Sequence, residues 1–188
     1  MEITKQVDLN SYTCSKGYCG FFAYKNKNIK RGANIALNFL WSHFEDQLFP
    51  VEIFSSLWTS CNDSDLEINY EYSADEIRQI LSPALTSLPP FVLRRDCEPE
   101  IFQKIALSPT TEKGLYGACF SVMALGGIRG HLFIHLEHNK VLLYPHDDVG
   151  FGVISTTPNT GRAVSFLESV DLSEFEVTMR QANNKTEA

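Results

Sequence analysis

The stretch Gly130–Gly152, GHLFIHLEHNKVLLYPHDDVGFG, constrains this chain more than any other part of it. Within HLFIHLE the side chains alternate, with His131, Phe133 and His135 on one side and Leu132, Ile134 and Leu136 on the other, which is the two-residue period of a strand. The chain then turns around His138–Asn139, and Lys140–Tyr144 reads as the return strand of a β-hairpin. A symmetric hairpin pairs residues whose numbers sum to 277 or 278. The first register sets His131 opposite His146, the second opposite Asp147. Facing Cβ atoms lie roughly 4.5–5.5 Å apart, close enough for an imidazole–carboxylate hydrogen bond. A carboxylate so placed fixes the ring tautomer and raises its basicity, as a general base requires. His131 is therefore the expected base and Asp147 its expected orienter, although the same two residues also suit a surface pair with no chemistry. Gly130, Gly150 and Gly152 flank the pair and permit close approach of other backbone. His131 and His135 have a zinc-like four-residue spacing only on a helix. On a strand they stand about 13 Å apart, too far to share an ion, so neither a metal nor a cofactor is expected.

Elsewhere the pattern is coarser. The first 30 residues read as irregular or hairpin-like, with scattered aromatics, and residues 183–188 as a frayed tail. Ala33–Phe49 has the apolar face of a helix (Ile35, Leu37, Phe39, Leu40, Phe44) closed by Pro50. A second short helix is expected over Val51–Trp58, a strand over Leu66–Tyr72, and a helix over Ala74–Leu81 capped by Ser73 with Glu76 in a capping box. Pro89–Pro90 breaks the chain, and Glu98–Leu107 reads as another short helix. GLYGACFSVMAL, residues 114–125, is a continuous apolar run bounded by glycine, read as a strand buried on both faces. A helix over Arg162–Val170 and a strand over Phe175–Arg180 complete the order. The expectation is a single α+β domain over residues 1–188, with N-terminal helices packed on a C-terminal antiparallel sheet.

Charge bounds the function. Sixteen Lys and Arg stand against twenty-three Asp and Glu, for a net charge of −7, which argues against nucleic-acid binding through a general phosphate-attracting field. No apolar run reaches the roughly 18 residues of a membrane span, and MEITKQVDLN is too polar for a secretory signal. The five cysteines (Cys14, Cys19, Cys61, Cys97, Cys119) are odd in number and form no CxxC pair. They imply a reducing compartment rather than a disulfide framework. The cytoplasm fits, as does delivery into a host cell without a cleaved signal.

The order of elements from residue 114 to 180 resembles the YopT and AvrPphB type of papain-like cysteine proteases, which are bacterial effectors. A buried segment leads to Gly130–His131, and a hairpin return ends in Tyr144-Pro145-His146-Asp147-Asp148-Val149-Gly150. A helix and a last strand follow. The resemblance implies a papain-like fold and a Cys-His-Asp site acting on a peptide or glutamine side-chain amide, as a protease or deamidase-like hydrolase. That family places a cysteine at a helix start in a pattern like Gly-x-Cys-x-x-Leu-x-x-x-Trp. Here Gly32, Leu37 and Trp41 match, and Asn34 occupies the nucleophile slot. An amide cannot attack as a thiolate does, which implies an inactive relative or another nucleophile. Cys19, in Gly17-Tyr18-Cys19-Gly20, is the other candidate, with Lys16, Lys25 and Lys27 near enough in sequence to favour its thiolate. Cys119, inside the apolar run, reads as a small buried hydrophobe. The alternative function is a binding protein of the immunity or antitoxin kind, whose acidic surface, including DLSEFE and DSDLE, neutralises a basic toxin. Both readings make the partner a protein.

Overall fold

The computed structural model describes residues 2–44, 51–59, 79, 92–93, 103–106, 109–125 and 128–180. The strand expected over Leu66–Tyr72, the Pro89–Pro90 break and the tail lie outside them, as does the Ser73-capped helix apart from Gln79, which is helical. The strands are β1 (Tyr18–Tyr24), β2 (Glu52–Ser55), β3 (Trp58–Thr59), β4 (Val92–Leu93), β5 (Gln103–Ala106), β6 (Ile128–Arg129), β7 (Leu132–Leu136), β8 (Val141–His146), β9 (Gly150–Ser155) and β10 (Phe175–Met179). The helices are α1 (Ile29–His43), α2 (Pro109–Ala124) and α3 (Gly161–Glu168), and two short 3-10 turns, Ile3–Lys5 and Tyr12–Cys14, precede β1. Seven strands form an antiparallel sheet in the order β10-β1-β9-β8-β7-β2-β5, and β4-β3-β6 form a small second sheet.

The α+β class stands, but the segregation of helices from sheet does not. Residues 18–24, read as part of an irregular opening, form β1, which pairs with β10 on one side and β9 on the other. The sheet thus draws on both halves of the chain. Strand pairing is a long-range decision, and the run of aromatic and small residues in YCGFFAY carries no record of its two distant neighbours.

Three expected elements change type. Residues 114–125 are not a strand: all but Leu125 lie in helix α2, whose Leu115, Ala118, Cys119, Phe120 and Met123 are buried. An apolar run has no period to separate a wholly buried helix from a buried strand, and α2 packs between α1 and β8. Val51–Trp58 is not a helix: Glu52–Ser55 forms β2 between β5 and β7. Gln103–Ala106, expected in a helix, pairs with β2 as β5. Helix α1 exists but starts four residues earlier than Ala33, because the Asn28 side chain accepts from the Arg31 N–H (2.9 Å) and caps it.

The hairpin alternation holds. Leu132, Ile134 and Leu136 join the core that α1, α2 and α3 share with the sheet, around Leu37, Leu40, Phe22, Phe151 and Phe166. Phe133 faces the other way, into a second core with Phe54, Leu142, Tyr144 and Ile154. The first residues cover that second face through Ile3, Val7, Leu9 and Tyr12. Helices α1, α2 and α3 lie on one face of the sheet and the N-terminal strap on the other. No helix among the described residues is long and apolar enough to cross a membrane.

Candidate functional site

His131 sits just before β7, and Ser56 holds it there: the His131 N–H donates to Ser56 Oγ (3.2 Å) and its carbonyl accepts from the Ser56 N–H (2.9 Å). Gly130 makes the placement feasible. Its φ of +98° disfavours any side chain, and a Cβ there would lie 2.2 Å from the Ser56 carbonyl oxygen. The ring enters the strap side of the sheet, where Nδ1 hydrogen-bonds the Tyr12 hydroxyl. Tyr12 in turn packs edge-on against Phe133 and Tyr144. Burial pushes the Tyr12 hydroxyl up to about 12 and pulls His131 below the usual imidazole range, so both are neutral at pH 7.

The hairpin adopts the 277 register, with Ile134 facing Leu143 and Leu136 facing Val141. This corrects the expected match of His131 with Asp147: the register sets His131 level with His146, and Asp147 lies beyond the strand in the β8–β9 turn. His146 belongs to the same aromatic face, against Phe21 and Tyr144. Its Nε2–H donates to the Phe22 carbonyl (3.1 Å). Burial is the largest influence on this ring and lowers its pKa, against the opposing pull of Asp148, the Phe22 carbonyl and Asp147. The carboxylates that bear on His146 are therefore Asp148 first and Asp147 less strongly. The ligand atoms of His146, Asp147 and Asp148 lie within 4.8 Å of one another, which makes them the residues most able to approach a shared cation among those described. Gly150 has the close backbone contact expected of it, whereas Gly152 meets a side chain instead. The Phe22 carbonyl oxygen lies 1.8 Å from where a Gly150 Cβ would stand, and the Tyr144 ring covers Gly152.

Cys19 is elsewhere. Its side chain is buried in the helix-side core, and Sγ donates to the Gly17 carbonyl (3.2 Å). Burial raises its pKa, against smaller opposing effects of the Ser155 backbone and Arg180. The lysines at 16, 25 and 27 are not the cations that bear on it. From β1 to β7 the order is β1-β9-β8-β7, three strand spacings or about 14 Å, and His131 is on the opposite face. The structure brings Tyr12 and His131 together and does not bring Cys19 to them.

Asn34 is also remote from His131, because α1 packs on the helix side. Its Nδ2 donates to the Lys30 carbonyl (2.8 Å), and its Oδ1 accepts from the Tyr116 hydroxyl of α2 (2.6 Å). The three residues that match the protease helix have packing partners: Gly32 lies under the Tyr24 ring, Leu37 is in the core, and Trp41 meets Tyr116 edge-on. Cys119 is fully buried, as its setting in the apolar run implied, and burial raises its thiol pKa strongly. Sequence reasoning missed Tyr12, which lies 119 residues from His131 in a segment with no regular period. Compared with family models, curated proteins and solved structures, the chain matches none.

Proposed function

We propose that the protein is an acidic protein-binding module of the immunity type, which covers a basic surface on a protein partner. The observation that carries this reading is the distribution of charge along the chain. Between residues 45 and 100 stand twelve Asp and Glu against three Arg and no Lys, a net of −9, while all other residues together come to +2. Ser55 of β2 faces Gln103 of β5 at the edge of the large sheet, so the described positions on either side of most of the acidic run meet there. Gathering like charge in one stretch steers a basic partner and suppresses wrong ones, with an effect that salt screens. The placement of Cys19 and His131 on opposite faces favours this reading over thiol chemistry, which requires the two to touch.

The experiment is a calorimetric titration against the protein encoded by the adjacent reading frame, at low and at high salt. A complex that weakens about tenfold or more as salt rises through the range where the Debye length shrinks below 10 Å is expected. No complex, or one indifferent to salt, overturns the reading. A thiol-labelling control separates the hydrolase: iodoacetamide should react slowly with Cys19 in both wild type and His131→Ala. Fast reaction that slows in the variant would restore a thiolate–imidazole pair.

A further inference from the structure

The hydrogen bonds at the two ends of β10 fix which way its backbone groups point. Lys25 N–H donates to the Glu174 carbonyl (3.0 Å) and Arg180 N–H donates to the Cys19 carbonyl (2.8 Å), in the same register that pairs Phe22 with Val177. In an antiparallel ladder alternate residues bond to the same neighbour. Residues 174, 176, 178 and 180 therefore bond β1, and the N–H and C=O groups of Val177 and Met179 point outward with the Phe175 C=O, while the Phe175 N–H donates to the Asp171 carbonyl (3.0 Å). Among the described residues β10 ends the sheet order, and no described strand pairs with this row. Proteins commonly blunt such edges with proline, lysine or a bulge, and FEVTM holds no proline or lysine and pairs with β1 without a register shift.

We propose that this edge pairs antiparallel with the same edge of a second copy of the chain, joining two seven-stranded sheets into one. A two-fold axis at Val177 makes the edge self-complementary. Val177 then faces Val177 of the second copy and exchanges both backbone hydrogen bonds with it, and Phe175 faces Met179, whose N–H donates to the Phe175 carbonyl. Glu176 faces Thr178, and Glu174 faces Arg180. No like charges meet in this register, and the opposite charges at 174 and 180 fall in positions where side chains approach most closely. Met179, an exposed large hydrophobic residue at 37%, gains cover beside Phe175. A second copy is the occupant that this symmetry selects, because a two-fold contact requires one patch to match itself. The inference does not rest on the acidic-module reading.

Analytical ultracentrifugation of the full chain tests it. The wild type should sediment as a reversible dimer of the 21.2 kDa chain, with a dimer fraction that rises with concentration. Val177→Pro removes an outward N–H in each copy and spares the ladder to β1, so it should weaken dimerisation at least about tenfold, with unchanged circular dichroism. A wild type that stays monomeric overturns the proposal, and so does a variant that dimerises as well as wild type. Should Val177→Pro fail to fold, the register itself can be read by disulfide trapping in a Cys14→Ser background. Glu176→Cys mixed with Thr178→Cys should give far more cross-linked dimer on mild oxidation than either variant alone. Equal yields refute the pairing.

Discussion

Gly32→Ala sets two effects of known size against each other. In a helix interior the change gains about 1 kcal/mol through propensity alone. Gly32, however, is buried in α1 beneath Tyr24. An added Cβ would stand 2.3, 2.6 and 2.8 Å from Cδ1, Cγ and Cε1 of that ring. Carbon atoms rest about 3.5–4.0 Å apart, so the ring must retreat by more than about 1 Å. Cγ is the ring atom nearest the backbone, and rotating the side chain does not clear it. The ring also packs at a tilt against Phe175 (centroids 5.7 Å apart), and its hydroxyl accepts from Arg31. Overpacking of this kind costs about 1–3 kcal/mol, and with three short contacts the upper value applies. The net expectation is a destabilisation of about 2 kcal/mol, or a melting temperature lower by about 4–8 °C for a chain of this size. In a Tyr24→Ala background the same change should stabilise by about 0.5–1 kcal/mol, because only the propensity term is left. Urea titrations of the four proteins, compared at constant m-value, measure both numbers. A rise in the wild-type midpoint on Gly32→Ala would show that the ring yields freely, and the reasoning would fail.

Two further predictions concern the histidines. Burial lowers the pKa of His43, His131 and His146, so the unfolded chain binds protons that the folded one refuses. Their stabilising contribution is complete above the unfolded value of about 6.5 and is lost as pH falls through the lower folded values. The urea midpoint should drop between pH 7.5 and 5.5, less steeply in His146→Gln; a midpoint that rises contradicts the sign. Tyr12→Ala removes the residue that pairs with His131 and covers its face, so the His131 pKa followed by NMR should move back up toward the ordinary imidazole range. An unchanged or further lowered value would mean that Tyr12 is not what buries it.

Where the signal was local, the residues alone decided the element. The alternation of HLFIHLE assigned each side chain of β7 to its face, and the hydrophobic spacing located the bodies of α1 and α3, because a face and a period are properties of a few consecutive residues. Asn28 shows how the α1 boundary was also present in the sequence, as an unrecognised cap. What neighbouring residues could not decide was anything set by a distant partner. GLYGACFSVMAL became a helix because α1 and β8 bury it on two sides, and YCGFFAY became a strand because β9 and β10 flank it. The two hairpin registers differ by one residue and were equally open until β8 had paired with both β7 and β9. The candidate site followed the same division. His131 was legible from its place at the head of an alternating strand, whereas its partner was Tyr12 rather than Asp147. Cys19 lies on the other face because the two-residue period and the strand order, acting together, fix on which side of a sheet each side chain emerges.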